Sequence, residues 1–403
     1  MAVRGFSKER LLRMQKVMSG YVERRDVPGM VTLVGRHGEV RVEVFGCKSV
    51  GGNDPMRRDT IFRIASLTKL ITAAAAMILI EECTIRLGDP VDGLLPELAN
   101  RKVLKRMDSP LDDTIPAKRS ITVRDLLNFC MGFGSVMAAP GRYPIQQAIR
   151  DLKIGGDGPP VPDEAPTADQ WIRNLGSLPL IHQPGEKWMY NTGSDVLGIL
   201  IARASGKSFE GFLRERIFTP LGMNDTSFAV PADKLNRLAT SYQYNPQTKQ
   251  LEVYDDAASS HWSHPSSFQS GAGGLVSTAD DYAAFCQMLL NKGKVGQERI
   301  LSRLSVELMT SDQITAEQRA GSEIFFDNNS SWGFGGSVVT RQDDLPNVPG
   351  RYGWTGGLGT SAGVDPKENM IGILMTQRMM DSPDPPKVFL DFWTSAYQAI
   401  DDE

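Results

Sequence analysis

FRIASLTKLITAAAAMILIEE, Phe62–Glu82, is the stretch on which the reading of this chain turns. Its Ala-rich run predicts a helix, and Ser66 and Lys69 open it three residues apart. On a helix such residues share a face, with Cβ atoms about 5–6 Å apart. A serine hydroxyl is a poor nucleophile until a neighbouring base takes its proton. A lysine amine can be that base if burial or nearby cations bring its pKa from about 10.4 toward neutrality. The positive end of the helix dipole lies where negative charge would develop. The pair predicts a serine hydrolase that needs no catalytic histidine. Ser-x-x-Lys alone arises by chance about once in a chain of this length, with a solvated helix start as the plain alternative. Two later segments, widely separated and in a fixed order, add weight: Tyr190-Asn191-Thr192 and Trp354-Thr355-Gly356-Gly357.

The bulk properties narrow the class. With 41% hydrophobic and 23% charged residues, the 403-residue chain suits a globular protein and not a disordered one. Its length allows two domains, or one with an insertion. A net charge of −4 with scattered Lys and Arg gives no reason to expect nucleic acid as a partner. Cys47, Cys83, Cys130 and Cys286 lie far apart with no C-x-x-C pair, against a zinc knuckle or redox dithiol and in keeping with a reduced compartment. The N-terminal residues carry charges throughout and no apolar signal core. The longest apolar run, LITAAAAMILI, sits between Lys69 and Glu81 and is too short to span a bilayer. These features predict a cytoplasmic protein with no membrane partner; oligomeric state leaves no clear trace.

Hydrophobic periodicity gives the organisation. A first helix is expected from Ser7, with Leu11, Met14, Met18, Tyr21 and Val22 on one face. MVTLVGRHGEVRVEVFG reads as a hairpin turning at His37-Gly38. From about Asp89 to Asp256 the pattern is helical and loop-rich. Thr122 with Asp125 and Thr167 with Gln170 look like capping boxes. GGDGPPVPDEAP reads as a loop, SDVLGILIARASG as a buried helix, and SFEGFLRERIFTPLGM as an amphipathic one. Beyond Gly271 a helix capped near Ser277 or Thr278 is followed by strand patterns in WGFGGSVVT, RYGWTGG, SAGVD and NMIGILMTQ. A last helix is expected in VFLDFWTSAYQAI. Strands at both ends and helices between predict an α/β (α+β) fold. One sheet, flanked by helices, is assembled from residues 1–95 and 257–403, with a mainly helical insertion at 96–256 and the active site between them.

Ser66-x-x-Lys69, the later Tyr190 and the late glycine-rich strand together resemble the serine β-lactamase and penicillin-binding-protein superfamily. Within it, the class C branch and the family VIII carboxylesterases are the nearer likeness. RLGDPV, HQPGEKWMYNTGSDVLG, TPLGMNDTSF and GAGGLVSTADDY carry it from about Val31 to the C-terminus. The resemblance implies a β-lactamase/transpeptidase-like fold with an antiparallel sheet. It implies Ser66 as the acylated nucleophile, Lys69 as its proton acceptor or electrostatic support, and Tyr190 as the proton relay. Backbone N–H groups of Ser66 and Gly357 would form the oxyanion hole. The phenol of Tyr190 is expected to be acidified by the neighbouring ammonium. No metal or organic cofactor is called for.

Two departures from the family pattern bear on substrate. Asn, Asp or Ser is common two residues after the tyrosine, where this chain has Thr192, with Asn191 one position earlier. β-Lactamase-like enzymes usually carry Lys at the position of Trp354. An indole cannot make that cation's ion pair with a substrate carboxylate. Arg351, three residues away, faces the other side of a regular strand. The expected substrate is therefore a small, neutral, partly apolar ester, with Asn191, Thr192, Trp354, Thr355 and Gly356 as pocket contacts. A Trp354 that only packs against a helix is the alternative. An amidase uses the same constellation and stays open, as do a β-lactamase or D-amino-acid peptidase and a catalytically silent ligand-binding relative. Ser361, in GTSAG, matches the α/β-hydrolase elbow in letters, but Val364-Asp365-Pro366 follows where a helix should start. His261 and His264 have no clustered carboxylates, and Pro265 predicts a loop there. His37 is expected in a turn and His182 in a loop.

Overall fold

The hairpin read at Met30–Gly46 supplies one edge of the sheet. The computed structural model describes residues 5–155, 162, 165–326 and 328–401. His37 (φ 50°) and Gly38 (φ 81°) both take positive φ at the turn, which matches the twist of two paired strands. Strand Gly29–Arg36 pairs with Glu39–Gly46 on one side and with Met370–Thr376 on the other. The seven strands run in the order Ser330–Trp332, Ser337–Val339, Tyr352–Gly356, Thr360–Asp365, Met370–Thr376, Gly29–Arg36, Glu39–Gly46. Every pairing is antiparallel. The sheet is thus assembled from both ends of the chain, as its strand patterns predict.

Alternation along the strands builds two cores. Met30, Val34, Met370 and Leu374 face the helices Lys8–Glu23 and Lys387–Gln398, where Met18, Phe389, Phe392 and Trp393 meet them. At Gly372 the indole of Trp393 lies so close that a Cβ would sit 2.7 Å from it. Val31, Leu33, Ile371 and Ile373 face the larger core, shared with helices Ala279–Leu290 and Thr68–Glu81. The Thr68–Glu81 helix is buried from Thr68 to Leu79. Its alanines let other backbone approach closely: a Cβ on Gly335 would lie 2.6 Å from both Ala73 Cβ and the Lys69 carbonyl oxygen.

Between residues 96 and 256 the expected helices are present, notably Ala168–Ser177 and Thr192–Ser205. That span also contains a hairpin of Ser241–Asn245 and Gln250–Asp255, which the helical reading omitted. Thr122 and Asp125 form a reciprocal capping box. Thr167 accepts the Gln170 amide, while the Gln170 side chain goes to Asn174. The SFEGFLRERIFTPLGM helix carries a π-helical turn at Arg214–Phe218. WGFGGSVVT is two strand ends joined by the turn Gly333–Gly336. Most of GGDGPPVPDEAP lies outside the described residues. Among the described residues no helix is long and apolar enough to cross a membrane.

Candidate active site

Ser66 occupies a 3₁₀ turn, Ala65–Leu67, directly before the Thr68–Glu81 helix. Ala65 is held at φ 44°, a left-handed conformation that costs a residue with a Cβ about 1–3 kcal/mol. Neighbouring elements hold the turn in place. The Tyr282 hydroxyl donates to the Leu67 carbonyl at 3.0 Å, and Leu275 N donates to Thr68 Oγ1 at 3.2 Å. Thr360 Oγ1 donates to the Ile64 carbonyl at 3.1 Å. A Cβ on Gly356 would lie 2.4 Å from that same oxygen. Only glycine lets strand Tyr352–Gly356 end this close to the Ile64 carbonyl that precedes the Ser66 turn.

Lys69 Nζ and the Tyr190 phenol each hydrogen bond to Ser66 Oγ at 2.9 Å. Lys69 Nζ also donates to the Ala272 carbonyl at 2.6 Å and stands 4.6 Å from the Tyr190 ring centroid. Trp354 Nε1 donates to the Tyr190 oxygen at 2.7 Å. Three segments distant in sequence therefore meet at the Tyr190 hydroxyl, which joins Ser66 to Trp354. Burial brings the Lys69 amine down to about 7, partly offset by the buried carboxylate of Asp195. Burial also pushes the Tyr190 phenol up to about 12, against hydrogen bonds to Ser66 and Trp354 that lower it. The expectation of a phenol acidified by a neighbouring ammonium is corrected here: loss of water around the phenolate outweighs what its neighbours return.

The remaining sequence-derived residues are distributed as follows. Asn191 follows Tyr190 at φ 84°, ψ −64°, with Thr192 N donating to the Tyr190 carbonyl at 3.3 Å, a strained γ-turn. Thr192 is buried and begins the next helix. Thr355 is half-buried in its strand. Ser361 lies inside strand Thr360–Asp365 and accepts from Trp393 Nε1 at 3.0 Å, away from Ser66 on the face that the C-terminal helix covers. Arg351 stacks 4.5 Å over Trp393 on that same side, as strand alternation predicts. His261 and His264 follow the short turn Ala257–Ser259; His261 N donates to Asp255, and His264 lies 3.2 Å from the Ser263 hydroxyl. Among the described residues no group of three His, Cys, Asp or Glu could hold a metal ion.

Sequence reasoning missed two parts of the site. One is the aromatic wall: Trp354 packs edge-on against Trp332 at 4.8 Å, and Phe325 stacks on Tyr190 at 4.9 Å. The other is Asp195, whose carboxylate accepts from Ser270 Oγ at 2.6 Å and Ala272 N at 3.1 Å. An acidic residue inside the apolar run SDVLGILIARASG was the available signal, because a carboxylate in a buried helix needs partners.

An antiparallel sheet with helices on both faces and a Ser-x-x-Lys turn under its glycine-rich strand is the β-lactamase/transpeptidase-like fold. The Beta-lactamase family model matches residues 14–389, and the chain belongs to that family. It is 36% identical over 361 residues to an uncharacterized protein of Mycobacterium tuberculosis, covering 88% of this chain and 86% of that one. It is 28% identical over 399 residues to Esterase EstB of Burkholderia gladioli, covering 93% and 92%. The solved structure of EstCE1, a hydrolase with promiscuous acyltransferase activity, superposes with a TM-score of 0.80 at 24% identity, over 96% of this chain and 99% of that one.

Proposed function

We propose that this protein is a serine hydrolase that cleaves small carboxylic esters through an acyl-enzyme on Ser66. The observation that carries the reading is a pair of distances: Lys69 Nζ and the Tyr190 oxygen both lie 2.9 Å from Ser66 Oγ. In acylation Ser66 Oγ attacks the ester carbon and its proton passes to the free amine of Lys69. Backbone N–H groups of Ser66 and Gly357 hold the oxyanion. Tyr190 gives its phenolic proton to the leaving alkoxide and is reprotonated at the expense of the Lys69 ammonium. Water then attacks the acyl-enzyme by the reverse route, releasing the acid and restoring the Ser66 hydroxyl.

Trp354 supports an ester over a β-lactam or peptide carboxylate, because it offers the site a ring and one N–H in place of a cation. That N–H is already engaged by Tyr190. Asn191, Thr192, Thr355 and Gly356 line the pocket in this reading. Residues 1–95 and 257–403 form one unit and 96–256 the other, with substrate entering between them. Similarity to an esterase over nearly the whole chain supports the same choice.

The test compares p-nitrophenyl butyrate with a chromogenic cephalosporin for wild type, Ser66→Ala and Ser361→Ala. Ester turnover lost only in Ser66→Ala is the expected result. A cephalosporin turned over faster than the ester would refute the Trp354 argument, and full activity in Ser66→Ala would refute the nucleophile.

A further inference from the structure

The Gly271–Ala272 peptide unit is held at both ends. Its carbonyl, on Gly271, accepts from Thr72 Oγ1 at 2.8 Å, and its N–H, on Ala272, donates to Asp195 at 3.1 Å. Thr72 lies just under one helical turn beyond Lys69 on the same helix, and Asp195 lies in the first turn of the helix that follows Tyr190. With that peptide fixed, the next carbonyl, on Ala272, accepts from Lys69 Nζ at 2.6 Å. The segment packs directly on the start of the Asp195 helix: a Cβ on Gly271 would lie 2.3 Å from the Ser194 carbonyl oxygen. Ser270 Oγ adds a second donor to the same carboxylate oxygen at 2.6 Å.

We infer that Asp195 is a positioning residue for the proposed acyl transfer: its buried carboxylate fixes the carbonyl that holds Lys69 and favours the proton on that amine once Ser66 has released it. The inference rests on the Ser66 reading. A carboxylate inside the protein acts at short range through a low dielectric. Of the titratable groups around Lys69, Tyr190 and Tyr282 are neutral phenols at working pH, and the segment 270–275 has no ionisable side chain. Burial raises the Asp195 carboxyl above its ordinary value, against the hydrogen bonds from Ser270 and Ala272 and the Lys69 charge that lower it; in its ionised form it is the charge that acts on this amine. It also ties the helix behind Tyr190 to the loop behind Lys69, so one residue sets the separation of the two proton-transfer groups.

The experiment is the pH dependence of kcat/KM on p-nitrophenyl butyrate for wild type, Asp195→Asn, Ser270→Ala and Thr72→Val, with thermal unfolding of each. Asn keeps an acceptor for Ser270 and Ala272 but removes the charge. Losing the carboxylate favours the free amine, so the acid limb in Asp195→Asn should move to lower pH by about one unit or more. Its plateau kcat should fall about tenfold with little change in KM, because the ammonium formed during reaction loses its counter-charge. Thr72→Val disturbs the same peptide without touching charge, and should lower kcat with the limb in place. If Asp195→Asn does not fold, Ser270→Ala carries the test: a carboxylate short of one hydrogen bond is protonated more readily, and the limb moves the same way by less. An unmoved limb in the folded Asp195 or Ser270 variant overturns the inference. So does a limb that Thr72→Val moves equally far. The rate at which a fluorophosphonate labels Ser66 at each pH gives a second readout that needs no turnover. Ser66→Ala retaining activity would instead sink the hydrolase reading itself.

Discussion

Desolvation disfavours whichever form of a group carries charge, so around Ser66 it drives the amine and the phenol in opposite chemical directions. With Lys69 brought down to about 7 and Tyr190 pushed up to about 12, near-neutral pH leaves an amine able to take a proton and a phenol able only to give one. The sign follows: below about pH 7 Lys69 is an ammonium and cannot accept the Ser66 proton. Ester kcat/KM should therefore fall on the acid side with a limb near 7 in a pH–rate profile. Trp354→Phe keeps the ring against Trp332 and Phe325 but removes the donor to the phenol oxygen. One hydrogen bond of about 1–1.5 kcal/mol predicts a kcat lower by roughly tenfold. Trp354→Lys should weaken hydrolysis of apolar esters and improve that of carboxylate-bearing ones, and unchanged selectivity would place Trp354 outside the pocket. The residue types of the site were legible because each chemistry has few amino acids that perform it. The phenol's shift was not, since its sign depends on how much water burial removes.

At the scale of elements, strain marks both segments that meet at Ser66. Ala65 and Asn191 adopt positive φ, one immediately before the serine and one immediately after the tyrosine. Packing holds them there, through Tyr282 and Thr360 on one side and the start of the Thr192–Ser205 helix on the other. A turn remote from the site offers the contrast. Gly38 sits at φ 81° with nothing within 4 Å of where a Cβ would be. Gly38→Ala should cost about 1–2 kcal/mol of backbone strain alone, read as a lower denaturant midpoint with kcat unchanged. That hairpin was legible because its turn residues sit between two β-branched runs. The Ser241–Asp255 hairpin was not: SYQYN and QLEVYD alternate as strands do, but they are short and lie in a helical neighbourhood.

For the whole molecule, the pairing of distant segments is what keeps the site assembled. Arg63, three residues before Ser66, is buried in an ion pair with Asp255, donates to the Ser260 hydroxyl at 3.0 Å and lies 5.3 Å from the Trp262 ring. The pair binds the strand Phe62–Arg63 leading to Ser66 to the hairpin that the sequence concealed. Asp255→Asn leaves a guanidinium buried without its counter-charge and should destabilise the fold by about 3–5 kcal/mol in urea unfolding, with ester turnover falling alongside. The sequence by itself determined the helix that carries Lys69 just beyond Ser66, the strand patterns at both ends, and the residue types for the proposed acyl transfer. Those follow from local periodicity and side-chain chemistry, which neighbours along the chain carry. Only the tertiary structure decided that Trp354 would bond to Tyr190, that Asp195 would hold the loop behind Lys69, and that Ser361 would lie on the far side of the sheet. Each depends on side chains far apart in sequence being buried together, and both hydrogen-bond geometry and the cost of charge are set by that enclosure.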